Sequence, residues 1–500
     1  MKKILSLLLC LAVLLPAFAA CSNNAADPGN SDDAQNPSGN TAPSAEAEAT
    51  PEEPEITRAN YPDTLSPDLN FDGVTLSINA FGSENCINYD CTGELTGDVV
   101  LDAVYNRNIT VEDRLNVKLN YVFGSADWDG FPASVATVLQ AGTDDYDLIV
   151  EESSRLFEQS IQGYFYDFLT LDNINLEQPW WYSEMMEESQ FDNTKRFFLN
   201  GDICLTVFMG ASAMYFNKPV FTDYFGDVNA LYDSVLDGTW TYDKFADYCR
   251  GVYTDVNGDG KADAGDLMGF RYEQWGVPNY MSMSTGLTYA LRDSDGFPIL
   301  DIYTENGIKW GETLYRLLYT DNISMLGAKQ DTFIAGKSLF FPGMFETALV
   351  LRDVDFEYGM VPYPKLDESL DYLCGAATAN GCGVAIPVSA NAERISATTA
   401  TVEALCAEAY RKVVPAWYDT ALKIKYSDAT IDAQMVDIIY NHINSPFIMM
   451  ADKALGTGSI YTNAVFGSSN EGAFASWWAK NEKLLVKKLE KALDSYKKLP

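Results

Sequence analysis

The sequence predicts an α/β fold built on a parallel sheet, and three observations carry that expectation. From residue 71 to 150 the hydrophobic period alternates between two and 3.6, giving β-α-β-α-β within about eighty residues. At 500 residues, 47% hydrophobic and 13% aromatic, the chain exceeds what one core holds and suggests two or three domains. The segment after the first strand, Phe81-Gly82-Ser83-Glu84-Asn85, matches neither GxGxxG nor GxxxxGK[ST], so this sheet is not expected to bind a nucleotide.

The chain opens with Lys2 and Lys3, an almost unbroken apolar run from Ile4 to Ala19, and small residues before Cys21. These are the three parts of a secretory signal. The run is short for a membrane span, and a polar tail follows it directly. Its Ala19-Ala20-Cys21 ending resembles a bacterial lipobox. That implies loss of residues 1–20 and a lipid on Cys21, with the rest of the chain anchored at the extracellular face of the cell membrane. Residues 21–60 read as a disordered acidic linker, with Pro28, Pro37, Pro43, Pro51 and Pro54 and no aromatic residue.

In the folded part, Val74, Leu76, Ile78 and Ala80 alternate with polar residues, as in a half-buried strand. Gly97-Asp98 caps a helix whose Leu101, Val104, Val111 and Leu115 share one side. Val117, Leu119, Tyr121 and Phe123 alternate again; Phe131 to Ala141 is a helix stopped by Gly142, and Tyr146 to Val150 a compact apolar strand. Ligands on parallel sheets sit beyond the carboxyl ends of the strands, here Phe81-Gly82-Ser83 and Glu151 to Arg155. The mild run Ile203 to Phe216 is broken by Gly210-Ala211-Ser212-Ala213, small residues that permit a bend. Thr241 caps a helix beside Trp240. Gly383 to Pro387 is a short strand. In the last helix Phe474, Trp478, Leu485, Leu489, Ala492 and Tyr496 share a face, which makes Trp478 core.

Charge and composition exclude several functions. A net charge of −37 repels nucleic acid and anionic lipid and suits a neutral or cationic ligand. His442 is the single histidine and sits in a predicted helix, which argues against a serine–histidine triad and a histidine zinc site. Beyond Cys10 and Cys21, seven cysteines remain, an odd number. Cys86 with Cys91 and Cys374 with Cys382 are close enough for small disulfide loops; buried free thiols are the alternative. There is no CxxC pair, so a cysteine zinc site is not expected.

The most specific local motif runs from Asp255 to Asp266. Asp255, Asn257, Asp259, Asp263 and Asp266 stand at positions 1, 3, 5, 9 and 12 of a calcium loop, with Gly260 at 6 and the Lys261 carbonyl at 7. This predicts a structural Ca2+ ion; an acidic solvated turn is the alternative. Dockerins use paired loops of this kind, and the chain has one.

Several separated pieces together resemble a family 1 extracellular solute-binding protein of the ABC importers. They are the lipobox, the opening βαβ unit, Met214-Tyr215-Phe216-Asn217-Lys218, the Phe333 to Lys337 FxxGK stretch, Tyr358 to Lys365, and the terminal helix. The resemblance implies a two-lobe, type II periplasmic-binding-protein-like fold. Lobe 1 would hold 61–205 and 333–385, and lobe 2 206–332 and 386–500, with the calcium-like loop 255–266. It implies a solute, in this family mostly a sugar, passed to membrane permease subunits without chemistry; with the acidic charge, the expected ligand is a neutral solute, most of all a carbohydrate. Carried over by position, the cleft would offer Phe81, Glu152, Ser153, Arg155, Met209, Ala211, Ser212, Trp275, Phe345 and Glu346. Flat rings suit sugar C–H faces, and planar polar groups suit hydroxyl pairs. The competing reading is a secreted glycoside hydrolase, which needs two carboxylates across a sugar site; no hydrolase motif is recognised.

Overall fold

In the computed structural model, strand β1 (Val74–Ala80) is the centre of the first sheet. It pairs in parallel with β2 (Val117–Phe123) on one side and β3 (Leu148–Glu152) on the other. The model describes residues 55–499 except 262, 264, 328, 377–380, 424–428 and 469; the signal, Cys21 and nearly all of the linker lie outside the described residues. Helix α1 (Val99–Leu115) joins β1 to β2, and Asp98 starts it by accepting hydrogen bonds from the amides of Val100 and Leu101 at 2.9 and 3.1 Å. Helix α2 (Gly130–Ala141) ends at Gly142, which takes the left-handed conformation at φ 65°. β3 runs two residues further than expected, so Glu151 and Glu152 are strand residues. Helix α3 (Ser153–Ser160) follows with no loop between. Strand Cys382–Ala385 completes the sheet antiparallel to β3, in the order 382–385, β3, β1, β2.

A second sheet is antiparallel and three-stranded: Tyr358–Val361, then β4 (Ser212–Asn217), then Phe340–Met344. The broken run before it resolves into a short helix, Leu205–Met209, and β4, with Gly210-Ala211 as the turn. Every residue of β4 and of strand 340–344 is buried. Strand periodicity sends alternate side chains to opposite faces, and here each face belongs to a different core. Ala213, Tyr215, Phe341 and Tyr358 join the core of the first sheet. Met214, Phe216, Phe340 and Val361 join a second core with Trp240, Phe245, Phe270 and Trp310. This sheet is the shared wall of two cores, all within residues 56–500, which form one unit.

The terminal helix Ala473–Tyr496 buries the six residues expected. Phe474, Trp478 and Leu485 enter the second core; Leu489, Ala492 and Tyr496 enter the first. The core residues thus divide 386–500 differently from the expected lobe boundary: helix Ile395–Glu408 packs Ala400, Val402, Leu405 and Cys406 into the first core. That helix is buried at every position from Ala397 to Glu408, so no polar stripe marks which core it faces. All seven cysteines of the folded part are buried free thiols. Among the described residues, no helix is long and apolar enough to cross a membrane.

Candidate functional site

The carboxyl ends of β1, β2 and β3 meet at one corner. Gly82 makes this possible: a Cβ there would lie 2.1 Å from the Gly124 carbonyl, so only glycine lets the turns after β1 and β2 touch. The contact brings Trp128 over Phe81 at a 4.9 Å ring distance, with Phe131 behind at 5.6 Å. Phe81, Trp128, Phe131, Pro132, Glu151 and Glu152 line a narrow crevice. Phe81 is only 4% exposed and serves as its floor, whereas Trp128 is 46% exposed. Burial pushes the Glu151 carboxyl up to about 8 and raises that of Glu152. Glu151 Oε2 accepts from Gln159 at 3.0 Å, and its Oε1 has no partner among the described residues. Arg155 is held by ion pairs to Asp129 at 2.7 Å and Glu158 at 3.3 Å, beside Trp128.

A second group lies where the two cores join. Glu346 follows strand 340–344. Its amide donates to the Met209 carbonyl at 2.9 Å, and its Oε2 accepts from Asn85 Nδ2 at 2.8 Å. Burial raises its carboxyl pKa, against the bond from Asn85 and the charge of Lys329. Lys329 pairs with Glu273 at 3.1 Å and lies 5.5 Å from the Tyr280 ring. Trp275, 55% exposed, stands two residues after Glu273, and its carbonyl accepts from Asn279 at 2.8 Å. Asn85, Glu346, Lys329 and Glu273 thus form one polar row from the segment after β1 to the second core, with the Tyr280 ring beside Lys329.

The remaining expected residues are inside the protein. Ser153 Oγ donates to the Gly381 carbonyl at 2.9 Å and accepts from Asn200. Ser212 Oγ donates to the Gly375 carbonyl at 2.7 Å. Ala211, Met209 and Phe345 are buried, with Phe345 packed on Phe208 at 4.7 Å. They shape the joint from within. Trp128, Asn85, Glu273, Tyr280 and Lys329 were not among the expected residues. Applying the strand-end rule to β2 as well as to β1 and β3 leads directly to Trp128. Two open cavities of about 260 and 440 Å3 lie elsewhere, around Tyr289 and Asp301 and around Glu158 and Lys491. Of the candidate-site residues, Glu158 alone lines one of them.

In loop 255–266, Asp255 accepts from the amides of Gly258 and Gly260 at 2.6 and 2.8 Å, and Gly260 has φ 75°. Asp266 is fully buried and accepts from the amides of Val256 and Asp263 at 3.1 and 3.0 Å. Antiparallel pairing of Thr254 with Leu267 closes the loop. The oxygens of positions 1 and 12 are thereby turned inward on a frame of backbone amides. The donor set, carboxylates and an amide around a tight turn, suits a hard cation.

No protein-family model and no curated protein matches the chain. Its likeness is to solved structures. The galacto-N-biose-/lacto-N-biose I-binding protein of an ABC transporter from Bifidobacterium longum superposes with a TM-score of 0.56 at 12% identity, covering 85% of this chain and 98% of that one. The chain has the two-lobe fold of ABC-transporter substrate-binding proteins. An ABC substrate-binding protein from Listeria monocytogenes, in complex with cycloalternan, gives 0.52 at 11% identity over 85% and 99% of the two chains. UgpB from Mycobacterium tuberculosis, in complex with glycerophosphocholine, gives 0.52 at 12% identity over 83% and 99%. At these identities the likeness is one of fold, and the side chains of the site must be read from this chain alone.

Proposed function

We propose that this chain is the substrate-binding component of an ABC importer, taking up a neutral carbohydrate outside the cell and delivering it to membrane permease subunits without chemical change. The observation that carries the reading is the polar row Asn85–Glu346–Lys329–Glu273 at the joint of a two-lobe fold, in a chain that also exposes two tryptophans, Trp128 at the strand-end corner and Trp275 two residues after Glu273. Planar carboxylates and amides match hydroxyl pairs, and exposed indoles match sugar C–H faces. The acidic net charge of −37 favours a neutral over an anionic ligand. Calorimetry against neutral mono- and oligosaccharides tests this, with chromatography of the mixtures after incubation. One sugar bound per chain and recovered intact is the expected result. Binding confined to peptides or polyamines would overturn the sugar assignment, and accumulating products would move the chain to the hydrolases.

Two finer readings belong with this one. Cys21 carries the lipid anchor, and Cys21→Ala releases the protein into the soluble fraction; retention in the membrane would count against it. Loop 255–266 holds a structural calcium ion, supported by its inward-turned carboxylates and tight glycine turn.

A further inference from the structure

We propose that Cys86, Cys382 and the Asp90 carboxylate form a buried site for one thiophilic divalent cation such as Zn2+, with Cys91 as a neighbouring thiol beside Cys86. The four residues come from two distant parts of the chain. Cys86–Cys91 is a single turn of π-helix after β1, which brings its first and last residues onto one side. Cys382 opens the strand beside β3. The Sγ atoms of Cys86 and Cys382 and a carboxylate oxygen of Asp90 all lie within 4.8 Å of one another. Cys86 Sγ and Cys91 Sγ are 3.9 Å apart. A tetrahedral ion with metal–sulfur bonds of about 2.3 Å has sulfur–sulfur edges of ~3.8 Å. The thiol pair therefore already stands at the separation such an ion imposes, and far from that of a disulfide.

The surroundings hold these ligands in place. Thr206 donates to Asp90 through its amide at 2.9 Å and its hydroxyl at 2.6 Å, leaving each carboxylate oxygen a second lone pair. The fully buried Arg107 donates to the Asp90 carbonyl at 2.6 Å and the Cys91 carbonyl at 3.2 Å, fixing the turn that carries both. Its guanidinium offsets the excess negative charge that two thiolates and a carboxylate bring to a divalent ion. Each thiol that binds gives its proton to solvent, so uptake strengthens as pH rises. An ion here would join the turn bearing Asn85, the strand beside β3 and, through Thr206, the short helix Leu205–Met209.

The test is reconstitution of the reduced, denatured chain with Co2+ during refolding, with Ca2+ in excess to saturate loop 255–266. The wild-type protein is expected to retain one Co2+ per chain with thiolate-to-cobalt charge-transfer absorption. Cys86→Ser and Cys382→Ser should each abolish that absorption, and Cys249→Ser, in the second core, should leave it unchanged. Because a serine variant can fail to refold, native mass spectrometry of the wild-type chain gives an independent reading: one Zn2+ or Co2+ bound, displaced stoichiometrically by a mercurial thiol reagent. A folded, reduced wild-type chain with no bound cobalt, or an absorption that survives both serine substitutions, overturns the proposal.

Discussion

Asn85 Nδ2 donates a 2.8 Å hydrogen bond to Glu346 Oε2, tying the segment behind β1 to the residue that leaves the shared sheet. Removing either partner leaves a half-buried polar group unpaired, at a cost of about 1–3 kcal/mol. With the sugar bound and water displaced, that cost falls on the complex. Glu346→Ala is therefore expected to weaken sugar binding by roughly ten- to a hundredfold, as read by calorimetry. Glu346→Gln keeps an acceptor for Asn85 but loses the charge facing Lys329, and should fall between.

The aromatic residues of the site separate by exposure. Trp275 and Trp128 are 55% and 46% exposed, whereas Phe81 is 4% exposed. Trp275→Ala and Trp128→Ala should each weaken binding by roughly two- to tenfold, the scale of about 0.5–1.5 kcal/mol for a lost aromatic contact, with the melting temperature nearly unchanged. Phe81→Ala empties a packed position and should cost about 3–5 kcal/mol of stability. Thermal melts beside binding isotherms decide this, and equal melting losses in all three variants would refute it.

Stability should fall as pH rises from 5 to 8. Burial pushes Asp202 and Glu403 each up to about 7, from ordinary values of 3.8 and 4.5. A carboxyl whose folded pKa is raised binds its proton more tightly when folded. Its contribution is complete below the unfolded value and is lost as pH climbs through the folded value. Melting temperatures across this range should decline, and Glu403→Gln should flatten part of the decline. A rise toward pH 8 would contradict it.

Chelation should lower the melting temperature if loop 255–266 holds calcium, because an ion bound only to the folded chain stabilises it by mass action. Asp255→Ala with Asp259→Ala should abolish the response. Identical melting curves with and without chelator in the unmodified protein would leave an acidic turn.

The first sheet was legible because its strands alternate and its helices carry explicit stops: Asp98 at the start of α1 and Gly142 at the end of α2. Glu151 and Glu152 concealed the end of β3, since two acids do not look like buried strand. β4 was read only as part of a longer strand-like run, for the opposite reason. Both of its faces are buried, so the alternation that marks a half-exposed strand is missing. In the candidate site, Glu346 and Trp275 were named from position alone, whereas Lys329 and Glu273 come together only through an ion pair between separate segments. The thiol cluster was invisible to spacing rules, because Cys382 reaches Cys86 only through the folding of the first sheet.

The shared sheet sets how the molecule comes apart. A residue pair such as Tyr215 and Phe216 anchors one backbone segment in both cores at once, and strand 340–344 does the same with Phe340 and Phe341. Neither core can melt while its neighbour keeps its wall, so heat should take both in a single cooperative transition. A defect on one face is then felt on the other through a backbone they have in common.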